Sequence, residues 1–246
     1  MSHIIDELIA NIQNGKYKKA YNIFLIIFIS VFTVRTAIIL SSPKPYLLVK
    51  NVNVNNVLEE QIDSAEEEIS KPVKFKDDNF EYKIRSILGV FDRDILDKDL
   101  KKITSMDLNH NNIEDLEGIQ YCVNLKKINL SYNKISNIDN LRNLKKLEEI
   151  NLFNNNIEDI SALSNLSKLK KIDLAKNRIK DVTPLGSLKN LQELDLYSNH
   201  IENIEVLSQL KKLTFLDVSR NKIKDLNPIK GMNLKSKELL YWGNDN

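Results

Sequence analysis

Cysteine is almost missing from this sequence: Cys122 is the only one in 246 residues. No intrachain disulfide can form, and cysteine usage says nothing of the redox compartment. Histidine is nearly as scarce. His3, His110 and His200 stand far apart and, with one Cys, offer no spacing that suits a zinc site. Glycine and proline are few, at 6 and 5. There is no Gly-rich phosphate loop, no nucleophile motif and no His–carboxylate constellation. The sequence therefore points away from an enzyme, from a cofactor and from a small-molecule substrate. An excess of one charge is lacking too. The 36 basic and 34 acidic residues leave a net charge of +2, which makes no case for nucleic acid as a partner. With 42% hydrophobic and 28% charged residues, the chain has the composition of a globular protein.

What is present is a repeat. Asn111, Asn133, Asn155, Asn177, Asn199 and Asn221 each fall 22 residues after the last. Each sits in one frame, apolar-x-apolar-x-x-Asn-x-Ile, read as MDLNHNNI, INLSYNKI, INLFNNNI, IDLAKNRI, LDLYSNHI and LDVSRNKI. The alternating apolar residues suit a short strand with one buried face, and stacked coils would align these strands into a parallel sheet. The Asn comes where the chain turns away from the strand. Its side chain has the donors and acceptors to satisfy buried backbone groups of neighbouring turns, so this Asn ladder reads as structural. The rest of each unit adds apolar positions such as Ile157, Ile160, Leu163, Leu166 and Leu169. One repeat alone could not bury them. Cys122 occupies a position that later units give to Leu, and so reads as a small core residue.

The ends of such a solenoid need covers. The segment DDNFEYKIRSILGV predicts a helix started by Asp78 with Glu81 in a capping box. A second helix is expected over 94–102 with Asp94 as N-cap. At the other end the frame slips: the next Asn is expected at 243, where Gly243-Asn244 stands. Residues 232–246 are therefore read as a worn final coil, with Tyr241 and Trp242 partly covering the open core. The acidic run Asp92, Asp94, Asp97 and Asp99 lacks the Gly and Glu of a calcium loop, so no metal is expected there.

Ahead of the repeats lies AYNIFLIIFISVFTVRTAIIL, residues 20–40. Ile23 to Val34 carry no charge, and the whole stretch has the length to cross a bilayer. Arg35 can snorkel. Lys16, Lys18 and Lys19 favour a cytoplasmic N-terminus. The expectation is a signal-anchor helix; a cleaved signal peptide with secretion, or a buried core helix, are the alternatives. The expected organisation is a cytoplasmic tail (1–19), a transmembrane helix (20–40), a stalk (41–77), a helical cap (78–104) and a solenoid (105–246) of six full repeats and a partial coil.

The stretch LEGIQYCVNLKKINLSYNKISNI and the cap FEYKIRSILGV…ILDKDLKKITSMDL resemble internalin-like bacterial leucine-rich repeat proteins of the 22-residue class. The resemblance spans about residues 78–244. It implies an α/β solenoid: a leucine-rich repeat horseshoe with a parallel concave β-sheet and a short helical N-terminal cap, here preceded by a transmembrane helix. It also implies binding of a protein ligand through the concave face, at the bacterial cell surface. This chain shows no C-terminal sorting signal, so the membrane helix would hold it. The alternative is an intracellular adaptor resembling the leucine-rich regulatory subunits of protein phosphatases.

Outward strand positions form three columns. The first runs Ser105, Lys127, Glu149, Lys171, Glu193, Phe215, and its alternating charges are expected to pair. The second, Asp107, Asn129, Asn151, Asp173, Asp195, Asp217, makes the middle of the face acidic. The third is Asn109, Ser131, Phe153, Ala175, Tyr197, Ser219. Phe153, Tyr197 and Phe215 are expected to be exposed aromatics, the usual anchors of interfaces. Tyr132, His110, Lys176 and Arg220 would form a rim. The candidate partner-binding residues are thus Phe153, Tyr197, Phe215, Tyr132, Asp173 and Asp195.

Overall fold

The computed structural model describes residues 70–232, 234 and 239–244. The expected tail, the transmembrane segment 20–40 and most of the stalk lie outside the described residues. Among the described residues no helix is long and apolar enough to cross a membrane.

Lys71–Asn246 form one compact unit. Its element order is α1 (Asp78–Leu88), α2 (Asp97–Leu100), β1 (Ser105–Asp107), β2 (Lys127–Asn129), β3 (Glu149–Asn151), β4 (Lys171–Asp173), β5 (Glu193–Asp195), β6 (Phe215–Asp217), α3 (Asn227–Lys230) and β7 (Leu239–Leu240). The strands form one parallel sheet in sequence order. Register advances by one repeat per strand, for example Ile150 opposite Ile172. From β1 to β6 each return path makes a short 3-10 turn, such as Ser161–Leu163, and α3 takes that place before β7.

Besides the backbone hydrogen bonds of the sheet, two forces hold a coil to its neighbours. The first is burial. Ile150, Leu152, Ile157, Ile160, Leu163, Leu166 and Leu169 of one coil are all 2% exposed or less. Each large apolar side chain contributes about 1.5–3 kcal/mol on full burial. The second is the Asn ladder. Asn177 donates through Nδ2 to the carbonyls of Leu152 (2.9 Å) and Leu174 (3.0 Å). Its Oδ1 accepts the amide of Ile157 at 3.0 Å. One buried side chain thus satisfies backbone groups of two coils. The same pattern recurs at Asn133, Asn155, Asn199 and Asn221.

The final coil departs from the sequence reading. β7 pairs Leu216 with Leu239 and Asp217 with Leu240, an offset one residue longer than the repeat. The extra residue falls before β7, so the ladder shifts with it. Asn244 accepts from Asn221 at 3.0 Å and donates to Val218 at 3.0 Å. Asn244 thus supplies a seventh rung. Tyr241 is 50% exposed at the open end. Trp242 aligns instead with the outward third column and packs on Tyr197.

The cap also differs in detail. Asp77, not Asp78, starts α1: its backbone is extended and its carboxylate accepts the amide of Phe80 at 2.9 Å. Its second oxygen accepts the amide of Glu114 at 2.6 Å, which ties the cap to the first repeat. Glu81 pairs with Arg85. The second helix covers only Asp97–Leu100, because Ile95 is drawn into an extended pairing in which its carbonyl accepts the amide of Val73 at 2.8 Å. Residues 71–77, expected in the stalk, therefore pack with the cap. Phe75 meets Phe80 edge-on at 5.6 Å and lies so close to Gly118 that a Cβ there would stand 2.6 Å from its ring. The acidic run is divided. Asp99 is buried and forked by Arg93 at 2.7 and 3.1 Å, while Asp97 accepts the amide of Lys71.

Two predictions follow from these contacts. Asn177→Ala leaves the Ile157 amide without a partner inside the solenoid and takes one of two donors from the carbonyls of Leu152 and Leu174, which keep Asn155 and Asn199. It should lower stability by about 2–3 kcal/mol in urea unfolding, whereas Asn156→Ala should stay within about 0.5 kcal/mol. A loss below about 1 kcal/mol at Asn177 would mean that the ladder is dispensable. Asp99 has its pKa lowered to about 2, first by the hydrogen bond from Arg93, against the opposing effect of burial. Its folded pKa is depressed, so its stabilisation is complete above the unfolded value of about 3.9 and is lost as pH falls through about 2. The stability gap between wild type and Asp99→Asn should shrink between about pH 4 and pH 2. A constant gap would show that the charge of Asp99 adds nothing.

Candidate functional site

The outward face of the sheet is built from positions the core does not use. Strand registers place Lys127, Glu149, Lys171, Glu193 and Phe215 side by side, and likewise Asp173, Asp195 and Asp217. The expected run of alternating charges resolves into two pairs, Lys127–Glu149 at 2.6 Å and Lys171–Glu193 at 2.5 Å. At 58% and 54% exposure, the lysines in these pairs are well solvated, and each pair is worth at most about 1 kcal/mol.

The central column has a local duty. From β1 to β6 the Asp or Asn side chain of this column accepts the amide two residues on. Asn129 does so for Ser131, Asn151 for Phe153, Asp173 for Ala175, Asp195 for Tyr197 and Asp217 for Ser219. These bonds turn the chain out of the strand. Burial raises Asp173 above its ordinary carboxylate range. Asp195 is pushed up to about 6, chiefly by burial and then by Asp173 and Asp217, against the pull of the Tyr197 amide.

Past the turn, each coil places one residue in left-handed backbone just before the ladder Asn. His110, Tyr132, Asn154, Lys176, Ser198 and Arg220 all have φ between 52° and 56°. Gly243 takes this place in the last coil at 68°. Only Gly and, to a degree, Asn enter this region cheaply; other residues lose roughly 1–2 kcal/mol. The conformation belongs to the repeat. His, Tyr, Lys and Arg in it are not choices that the backbone favours.

Those residues assemble into two aromatic and cationic clusters along one rim. In the first, His110 stacks on Tyr132 with centroids 4.0 Å apart. Tyr132 meets Phe153 edge-on at 5.0 Å, and the Lys176 ammonium lies 5.1 Å from the Phe153 centroid. In the second, Tyr197 tilts against Trp242 at 5.9 Å, and the Arg220 guanidinium lies over both rings, at 5.6 and 5.0 Å. Ala175 and Ser198 separate the two.

Of the residues singled out from the sequence, Tyr132 is exposed. Phe153, Tyr197 and Phe215 are half-buried rather than exposed. Neighbouring rings and cations cover Phe153 and Tyr197. Phe215 stands in the first column, outside both clusters. Asp173 and Asp195 are half-buried. Trp242 was missed; a one-residue shift at Gly243-Asn244 places it next to Ser219 in the third column. Cys122 is buried, and burial pushes its thiol up to about 12, so it is inert. Among the described residues no group of three or more His, Cys, Asp or Glu could hold a metal.

Asp195→Asn should retain the turn, as Asn129 and Asn151 do, and remove a charge that the folded state disfavours. The folded pKa is raised, so the destabilising effect is absent below the unfolded value of about 3.9 and grows as pH rises through about 6. The variant should be more stable than wild type at pH 7 by on the order of 1–2 kcal/mol, with the advantage gone near about pH 4. Urea midpoints at the two pH values check this; a variant less stable at neutral pH would overturn it.

Residues 101–143, 123–165, 145–187 and 189–231 match the family of leucine-rich repeats in two copies, together just over half of the chain. An internalin, InlF, from Listeria monocytogenes is similar in structure, with a TM-score of 0.64 and 28% identity over 70% of this chain and 58% of that one. The functional domain of InlJ from the same organism, which includes a cysteine ladder, is similar at a TM-score of 0.52 and 24% identity, covering 64% of this chain and 41% of that one. This chain thus spans less than two thirds of the length of either. A search of curated proteins finds no match. The repeats matched cover more than half of the residues, and the chain belongs to the leucine-rich repeat family, with a fold similar to that of an internalin.

Proposed function

We propose that this chain is a protein-binding module that engages its partner through the outward, concave face of the repeat sheet. The observation that carries this reading is the cluster His110–Tyr132–Phe153–Lys176. It is stacked ring to ring and cation to ring on one rim, and three of its members stand in left-handed backbone that disfavours their residue types. Aromatic and basic side chains held rigid at a surface are the usual anchors of protein interfaces. The acidic central column beside them suits a partner with basic and apolar projections.

In this reading the module stands outside a bacterial cell. Residues 20–40 anchor it in the membrane, with residues 1–19 in the cytoplasm and 41 onward outside. The uncharged run Ile23–Val34 and the preceding Lys16, Lys18 and Lys19 support that orientation. A regular binding scaffold also accounts for the sequence without an enzyme.

Chemical cross-linking of the full chain on intact cells tests both parts. A partner should be captured by wild type and lost, by about tenfold or more, with Tyr132→Ala and Phe153→Ala together. Protease added outside the cells should remove the repeats. Unchanged capture would move the interface off this face. Repeats that resist protease until the cells are lysed would overturn the location.

A further inference from the structure

The second cluster carries a different piece of chemistry. From β1 to β6 the central column supplies an oxygen acceptor at each turn, for which a charge is not needed. Asn129 and Asn151 supply that acceptor at 3.1 and 2.9 Å, and Asp195 and Asp217 supply it at 2.9 and 2.8 Å. The two carboxylates make the same bond and add negative charge in a place where burial opposes it. β5 and β6 are paired in register, with Asp195 beside Asp217, on neighbouring strands roughly 4.8 Å apart.

No cation offsets them. Among the described residues no ion pair reaches Asp173, Asp195 or Asp217. Lys171, the nearest basic residue in the first column, is held by Glu193 at 2.5 Å. The next position in that column is Phe215. Arg220 is spread over the rings of Tyr197 and Trp242.

Ser219 adds a second, independent sign. It lies two residues beyond Asp217, on the same outward face, yet it is fully buried and its Oγ has no hydrogen-bond partner. Its counterpart Ser131 donates to Asn129 at 2.8 Å. Asp217 itself is only 8% exposed. A buried hydroxyl without a partner, next to a buried carboxylate without a counter-ion, is costly unless something fills the place.

We propose that Asp195, Asp217 and Ser219 form a subsite for one lysine or arginine side chain of the protein partner, walled by Tyr197, Phe215 and Trp242. An ammonium group has three N–H donors and no acceptor, and two carboxylates with one hydroxyl oxygen offer matching acceptors. The aromatic walls suit the methylene stem. Asp195, half-buried, is the side of entry. The raised pKa of Asp195 agrees with a carboxylate that lacks its counter-ion. The inference rests on the sheet face being the partner surface.

Trp242 is the single tryptophan in the sequence, so the fluorescence of the full chain reports on this subsite. The probes are capped Gly-Lys-Gly, capped Gly-norleucine-Gly, which keeps the stem without the charge, and calcium chloride, each to about 10 mM at pH 7. The lysine peptide should give a saturable change, with norleucine weaker by about tenfold or more. Asp195→Asn with Asp217→Asn should abolish it, and both substitutions keep the turn acceptors. Tyr132→Ala with Phe153→Ala should leave it intact. No saturable change with lysine, or an equal response to norleucine, would overturn the subsite. A response to calcium instead of lysine would overturn it in favour of a metal site. A cross-linked partner lost with Tyr132→Ala and Phe153→Ala but kept by Asp195→Asn with Asp217→Asn would leave the wider reading standing and this one refuted.

Discussion

The structure depends on one constraint: each coil must turn inward beside its strand without leaving buried backbone groups unpaired. The Asn ladder meets it. The side chain of Asn177 reaches an amide and a carbonyl in the coil before it and a carbonyl in its own. No apolar residue could do this, and a carboxylate lacks the donors. Ile and Leu side chains then fill the space that the ladder holds open. In the absence of disulfides, side-chain bonding and burial hold the coils together along with the backbone hydrogen bonds of the sheet.

The same constraint decides what is left for recognition. Two columns of each coil are committed, one to the core and one to the ladder. A third is half committed, because its Asp or Asn must accept an amide at the turn, while its charge remains free to vary. The left-handed position and the strand positions flanking the turn are held in place but not dictated in residue type. Variation gathers there: His110, Tyr132, Lys176 and Arg220 in one line, Phe153, Tyr197 and Trp242 in the next. A rigid scaffold thus presents side chains whose identity costs the fold little, apart from the strain of a left-handed Tyr or Arg.

Most of the scaffold was legible in the sequence, because a fixed period converts directly into register. Strand pairing, the ladder and the two charge pairs follow from spacing alone. The misses come where local chemistry overrides the period. Asp77 captured the role read for Asp78, since capping depends on the direction of the chain entering the helix. The segment around Ile95 went to an extended pairing with residues 71–73, a contact between chain segments that periodicity does not encode. The one-residue shift before β7 hid Asn244 and with it Trp242. The candidate site was less legible. The outward columns were readable, but half-burial of Phe153 and Tyr197 arises from side chains folding over one another, which spacing does not reveal. Nor did it reveal that Phe215 stands apart from both clusters.

The ladder also has a direction. The amide of each Ile finds its acceptor in the coil that follows, from Ile113 and Asn133 to Ile223 and Asn244. Every rung is therefore closed by its successor and never by its predecessor. A whole unit could be copied or excised from the middle of the stack and each remaining rung would meet an identical partner. The length of such a protein is then a quantity that changes in discrete steps, and the reach of its face changes with it, while the interior chemistry of every coil stays the same.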